Sequence, residues 1–330
     1  MSLLRQLREA GLWDSSFCGF CIVSCIFEPE ARFTLLRRHT IFTLALFIAG
    51  TIAAYGYGFR TAQEQLWPYR QLKSFIELQS NAPAKFDIYG RLIDYPGKLK
   101  IDCPPQDEKT AVLLIFGQSN SANYGGQRFQ AIDDHVINYF AGKCYRASSP
   151  LLGAENKLGE TWTLLGNKLI EQRRFNRVVL IPAGIGGTSV SEWAAGGRLN
   201  SMLADVLDNA QQHYRITHVL WHQGESDFVI GTSAKDYASR FLSVYATLRA
   251  HEVAAPVYVS EASRAGPEGP PWSENNPVRA GEESLIDGKN IFAGPDTDIL
   301  VSERDRYDGM HFSGSGQETF AARWVETLAH

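Results

Sequence analysis

The sequence predicts an α/β fold, a parallel sheet with helices on both faces, preceded by a single membrane-spanning helix. Three observations carry this reading. Beyond Lys109, short apolar runs alternate with longer segments of helical period, the strand, helix, strand order of a parallel sheet. Those runs are continuous rather than alternating, as strands covered on both faces must be. The third observation is uneven hydropathy: Ile41 to Phe59 (IFTLALFIAGTIAAYGYGF) runs 19 positions without a charge, the length a helix needs to cross a bilayer core.

Composition narrows the function classes. The 330 residues are 44% hydrophobic, 12% aromatic and 21% charged, with 29 Gly and 14 Pro, which excludes a disordered or collagen-like chain. A net charge of -4 leaves no basic excess to neutralise phosphates, so no nucleic-acid partner is expected and the ligand should be neutral or cationic.

Taken in order, residues 1–40 form a segment before the span. Arg32, Arg37, Arg38 and His39 precede the apolar run and only Arg60 closely follows it. That asymmetry places residues 1–40 in the cytoplasm and exports the chain beyond the span. The run is too long for an ordinary signal-peptide core and no small-residue cleavage site comes after it, so an uncleaved anchor is expected; cleavage would leave a similar soluble domain. Cys18, Cys21 and Cys25 read C-x2-C-x3-C inside an apolar stretch (FCGFCIVSCIF). A fourth ligand is missing, so small apolar residues near the membrane, or a start codon placed too early, explain them better than a metal. Cys103 and Cys144 are the two exported cysteines and predict one disulfide.

Residues 60–109 read as stalk and connector. Leu66, Tyr69, Leu72, Ile76 and Leu78 lie near helical spacing, interrupted by Pro68. Lys85 to Ile101 suggests a short hairpin around Pro96–Gly97, and Pro104 and Pro105 close the segment. Residues 110–330 are expected to form one domain. Strands are predicted at 111–116, 135–140, 177–182, 218–223 and 256–261. Between them lie helices beginning near 161, 199 and 237, each with an apolar stripe at three- and four-residue steps, and a last helix (TFAARWVETLA) ends the chain. No internal repeat is present.

Ligands on such sheets bind at the carboxyl ends of the strands. There the sequence places Gly117-Gln118-Ser119-Asn120, Gly184-Ile185-Gly186-Gly187-Thr188 and Gln223-Gly224-Glu225-Ser226-Asp227, while Asp308-Gly309-Met310-His311-Phe312-Ser313 precedes the last helix. Ser119, His311 and Asp308 supply nucleophile, base and orienter, the roles that acyl transfer to a hydroxyl requires. A Ser119 on a tight turn at the start of a helix would have the helix dipole behind it. Oxyanion donors are expected from the N–H groups of Ser119 and of Gly186 or Gly187, with Gln223 adding a side-chain amide. Removing one such donor typically costs about 2.7–4 kcal/mol of transition-state stabilisation. Taken singly, Ser119 reads as a helix cap, His311 as a structural histidine and Asp308 as a turn former; their joint placement is what points to chemistry. The glycines at 184, 186 and 187 lack a dinucleotide fingerprint, and His222 with Glu225 lacks a second histidine, so neither nucleotide nor metal is expected.

The segments FGQSN at 116–120, IGGTSVSEW at 185–193, WHQGESD at 221–227 and DGMHFS at 308–313 resemble the four motif blocks of the SGNH-hydrolase superfamily. The similarity is to its branch of sialate O-acetylesterases and carbohydrate esterase family six, and it covers roughly 110–330. It differs from the Gly-x-Ser-x-Gly elbow of ordinary α/β-hydrolases, because Ser121 stands where the second Gly would be. The resemblance implies a flavodoxin-like three-layer α/β/α fold, Ser119 as nucleophile, His311 as base, Asp308 as its partner and Gly187 or Gly186 as backbone oxyanion donor. Gln223 fits the branch's variant of the third block. Glu225 matches the acid of that block, and it and Asn120 are expected to support the site. No cofactor is implied.

Trp193, Arg264 and Trp272 are candidates for substrate contact, the tryptophans for stacking on a sugar ring, although ordinary packing is the commoner role for a Trp. Asp305 is a second choice for the orienting acid. The expected protein is a membrane-anchored extracytoplasmic serine esterase that removes O-acetyl groups from carbohydrates of the sialate or xylan/polysaccharide type. Two other readings stay open: an O-acyltransferase acting on a polysaccharide, since the same three residues serve both, and a non-catalytic carbohydrate-binding envelope protein.

Overall fold

The computed structural model describes residues 83–264, 266, 272–273 and 275–329, together with the separate helical positions Phe47, Gly50, Thr51, Ala54 and Tyr57. The chain divides into two units, Met1–Leu78 and Gln79–His330. In the first, the hydroxyl of Thr51 donates to the Phe47 carbonyl at 2.8 Å. The rest of the expected span 41–59, the C-x2-C-x3-C cysteines and the stalk lie outside the described residues. Among the described residues no helix is long and apolar enough to cross a membrane.

Among the described residues the second unit is built on ten strands and seven α-helices. The strands are β1 (Lys85–Phe86), β2 (Leu92–Asp94), β3 (Lys100–Ile101), β4 (Thr110–Gly117), β5 (Val136–Phe140), β6 (Lys143–Arg146), β7 (Arg177–Pro182), β8 (His218–His222), β9 (Val257–Glu261) and β10 (Ile291–Asp296). The helices are α1 (Trp162–Glu171), α2 (Val190–Trp193), α3 (Asn200–Gln211), α4 (Glu225–Ile230), α5 (Ala234–Ala250), α6 (Pro277–Ser284) and α7 (Gly314–Thr327). Eight strands form one sheet in the order β10-β9-β8-β4-β7-β5-β6-β3. Counting β4, β7, β8, β9 and β10 as strands one to five gives the flavodoxin order 2-1-3-4-5. β5, β6 and β3 extend the sheet beyond β7, and the last two pairings are antiparallel.

β4 sits at the centre because all eight of its residues, TAVLLIFG, are buried. Successive side chains point to opposite faces, and the two cores separate accordingly. Val112, Leu114 and Phe116 pack with α2, α3, α5 and α6, whereas Ala111, Leu113 and Ile115 pack with α1 and α7. This is the three-layer arrangement. Each fully buried Leu or Ile in it contributes roughly 1.5–3 kcal/mol, so β4 anchors the whole sheet.

All five predicted strands form, but 135–140 is an edge extension and the fifth strand of the core order is β10. β10 escapes the apolar pattern because its sequence, IFAGPD, holds only two consecutive large apolar residues and reads as a turn after Ala293. The expected hairpin also closes elsewhere. β1 pairs with β2 across a turn in which Asp87 Oδ1 accepts from the Tyr89 and Arg91 N–H groups at 3.0 and 2.9 Å. Pro96–Gly97 instead leads into β3, which pairs with β6, so part of the expected connector belongs to the sheet. Cys103, just beyond β3, is bonded to Cys144 in β6.

Candidate active site

β4 pairs with β7 on one side and β8 on the other, so the strand order reverses at its carboxyl end, the place where α/β sheets hold ligands. Gly117 makes that end possible. Its φ is +128°, and a Cβ there would lie 2.1 Å from the His222 carbonyl oxygen. The close approach lets the Gln118 N–H donate to that same oxygen at 3.0 Å. The chain then turns through a single 3-10 turn, Ser119–Ser121, rather than entering the expected helix; the next α-helix along the chain begins at Trp162. The helix-dipole contribution expected behind Ser119 is therefore missing.

Ser119 lines a cleft of about 400 Å³ together with Gln118, Tyr124, Gly187, Glu225, Ser226, Val229, Ile230, Met310 and His311. His311 Nδ1 lies 2.6 Å from Asp308 Oδ2, and Asp308 Oδ1 accepts from the Met310 and His311 N–H groups at 2.9 and 2.7 Å. Partial burial pushes the Asp308 carboxyl up, but those bonds from the His311 backbone and ring and from Met310 outweigh it and hold the group below its ordinary value. The loop thus fixes its own histidine, a local device visible in the D-x-x-H spacing. Asp305 is used differently: its carboxylate accepts from Ser302 N–H and Oγ at 3.1 and 2.7 Å.

The imidazole stacks on two aromatic rings. Tyr124 lies 5.0 Å away at 19° and Tyr307 6.1 Å away at 27°. Burial first, and the charge of Glu155 second, push the Tyr124 phenol well above its ordinary value, so it remains a donor, to Glu155 Oε2 at 2.9 Å. Neither tyrosine was expected from the sequence, because a lone Tyr in a loop carries no motif.

Asn120 joins three elements. Its amide donates to Glu225 Oε1 at 3.0 Å and to the Met310 carbonyl at 3.2 Å, and its oxygen accepts from Phe312 N–H at 3.3 Å. It therefore grips both chain neighbours of His311. Buried Arg306 holds the same loop, donating to the carbonyls of Leu300, Thr297 and Met310. Burial raises the Glu225 carboxyl to about 7, against the pull of its backbone bond, Asn120 and the Arg306 charge. Of the two residues expected to support the site, Glu225 is bonded to Asn120, and Asn120 in turn to the loop that carries His311.

The expected oxyanion donors separate. Gly186 N–H is taken by Glu155 Oε2 at 2.5 Å. The Gln223 amide donates to the Thr188 carbonyl at 3.0 Å, Asp227 Oδ2 at 2.6 Å and Gln118 Oε1 at 3.3 Å, so it is turned into the interior and does not line the cleft. It directly follows β8, at the carboxyl end of the sheet, but Asp227, four residues on, competes for its hydrogens. The N–H groups of Ser119 and Gly187 have no acceptor among the described residues, and both residues line the cleft.

The three substrate-contact candidates lie elsewhere. Trp193 is fully buried, with Phe116 and Trp221 5.4 and 5.8 Å away and its Nε1 donating to Thr188 Oγ1; it is a core residue. Arg264 stands 5.0 Å over the Trp272 ring, and neither borders the cleft. The apolar wall comes instead from Val229 and Ile230 on α4 and from Met310. His222 is fully buried, its ring beside Phe312 and Phe320 and its Nε2 3.1 Å from Thr297 Oγ1. Among the described residues no three His, Cys, Asp or Glu side chains gather as metal ligands.

Fold and sequence similarity together define an α/β hydrolase of ester bonds with the SGNH-like architecture. Within that class the chain belongs to the carbohydrate esterase family described as sialic acid-specific acetylesterase, whose sequence profile matches residues 109–330. Carbohydrate acetylesterase activity is the activity of that family. No curated protein matches the chain in sequence. Among solved structures, an Arabidopsis thaliana protein is similar at 18% identity over 68% of this chain and 98% of its own, with a TM-score of 0.54; it shares the fold. NanS is similar at 16% identity over 67% and 97%, TM-score 0.47. A carbohydrate acetylesterase from Xanthomonas citri is similar at 15% over 67% and 56%, TM-score 0.46.

Proposed function

We propose that this protein removes O-acetyl groups from carbohydrates of the sialate or polysaccharide type through an acyl-enzyme on Ser119. The observation that carries the reading is a single cleft lined by Ser119 and by His311, with the far ring nitrogen of His311 held 2.6 Å from Asp308. Ser119 Oγ attacks the acetyl carbonyl carbon while His311 Nε2 takes the hydroxyl proton. Asp308 keeps that proton transfer at Nε2 by accepting from Nδ1, and it stabilises the imidazolium. The developing oxyanion lies on the N–H groups of Ser119 and Gly187, which have no other acceptor among the described residues. The C–O bond to the sugar breaks, the sugar oxygen takes the proton from His311, and water repeats the sequence to release acetate.

We also place the domain outside the cytoplasm on an anchor at 41–59. The uncharged run with its basic flank supports this, as does a disulfide, which persists in oxidising compartments. The test is acetate release from an activated acetyl ester and a panel of acetylated sugars, with Ser119→Ala beside the parent. Serine-dependent release supports the mechanism and names the sugar. Release that survives the substitution overturns the nucleophile. No release from a folded protein, with acetyl transfer to an added glycan, would make it an acyltransferase.

A further inference from the structure

Glu155 lies on the loop between β6 and α1, outside all four motif blocks, and does not line the cleft. Its carboxylate nevertheless ties together two parts of the site. Oε2 accepts from the Tyr124 hydroxyl at 2.9 Å and from Gly186 N–H at 2.5 Å. The Tyr124 ring stacks on His311. Gly186 precedes Gly187, and it has no room for a side chain, since a Cβ would come within 2.5 Å of the Tyr124 hydroxyl and 2.8 Å of Glu155 Oε2. The Glu155 backbone is stitched into the same place: its N–H donates to the Gly184 carbonyl at 2.9 Å, and its carbonyl accepts from Asn123 N–H at 3.0 Å.

We propose that Glu155 is a positioning residue for catalysis, one carboxylate oxygen setting both the ring that supports His311 and the glycine loop that presents the Gly187 N–H. The inference rests on the esterase mechanism above and extends it to a residue that touches no substrate. By taking the Gly186 N–H, Glu155 leaves Gly187 as the loop's donor toward the cleft. By taking the Tyr124 hydroxyl, it holds the ring in one orientation under the imidazole. A misplaced oxyanion donor is felt in the transition state and little in the ground state, so the effect belongs in kcat.

The experiment compares Glu155→Ala, Glu155→Gln and Tyr124→Phe with the parent and Ser119→Ala, using steady-state hydrolysis of an activated acetyl ester. Glu155→Ala is expected to lower kcat roughly 10²-fold with KM changed less than about threefold. Glu155→Gln keeps an oxygen able to accept both bonds and is expected to restore kcat to within about tenfold of the parent. Tyr124→Phe loses one arm and should fall between them, and adding it to Glu155→Ala should cost little more, because the two act through one group. Parent-like kcat in Glu155→Ala overturns the proposal, as does a Gln variant no better than Ala, or a loss confined to KM. If Glu155→Ala does not fold, Glu155→Gln near the parent with an impaired Tyr124→Phe upholds the proposal, and Tyr124→Phe at the parental kcat overturns it. A parent without serine-dependent activity fails the mechanism itself, and the proposal falls with it; an active, serine-dependent parent with indifferent Glu155 variants fails the proposal alone.

Discussion

At the scale of single residues, the site depends on where a few hydrogen bonds go. The Asp308 to His311 bond is local, three residues apart, so its loss should act on chemistry and little on folding. Asp308→Asn is expected to lower kcat by roughly 10² to 10⁴ while the melting temperature stays within a few degrees, because an amide supports the wrong imidazole tautomer; steady-state kinetics beside thermal melts would check it. Glu225 poses a different question, since its carboxyl is fully buried and raised from 4.5 to about 7. The folded state therefore binds the proton more tightly than the unfolded chain. The stability that protonation confers is complete below about 4.5 and is lost as pH rises through 7, on the order of 3 kcal/mol. Glu225→Gln has no such term, so its melting temperature should gain on the parent between pH 5 and pH 8. A difference independent of pH would show that the carboxyl is ionised throughout.

Elements succeed or fail on close approaches that no apolar pattern records. β4 and β8 meet so tightly after Phe116 that Gly117 leaves 2.1 Å between a would-be Cβ and the His222 carbonyl oxygen. Gly117→Ala should therefore cost at least about 3 kcal/mol, by overpacking and a disallowed φ together, measurable as a lowered denaturation midpoint. At the other edge, Cys103 and Cys144 clip β3 to β6 across a separation of 41 residues. In the loop-entropy account such a crosslink stabilises by about 4 kcal/mol. Reduction, or Cys103→Ser with Cys144→Ser, should lower the melting temperature, and thiol labelling of the native domain should need reductant first.

At the scale of the whole molecule, the prediction concerns the two units. If residues 41–59 anchor the chain, the full-length protein should sediment with membranes and resist salt and alkaline extraction. A chain starting near Gln79 should be soluble and keep the acetate-releasing activity of the parent, since β1 to β10 and every cleft residue lie within it. A full-length protein found entirely in the soluble fraction would remove the anchor from the account.

Much of this was legible in the chain because the signals are short-range. The five continuous apolar runs predicted strands since a strand covered on both faces must be apolar throughout, and D-x-x-H predicted the Asp308 to His311 bond since three residues close one turn. α5 and α7 begin earlier than the apolar stripe placed them, at starts where the Ser233 and Ser313 hydroxyls accept from the backbone of the first turn. Tertiary structure decided what depends on distant neighbours. It made Trp193 core rather than platform by setting Phe116 and Trp221 against it, and it drew the Gln223 amide to Asp227 and Thr188 instead of the cleft. It gave the wall of the cleft to Val229, Ile230 and Met310, and it brought Glu155 to Gly186 and Tyr124 across 31 residues of chain in each case. Strand order belongs here too, since β10 joins the sheet through its pairing with β9 rather than through any pattern of its own. A sequence determines the chemistry available and the local shapes that carry it, whereas competition among partners for one hydrogen bond is resolved only when all of them are in place.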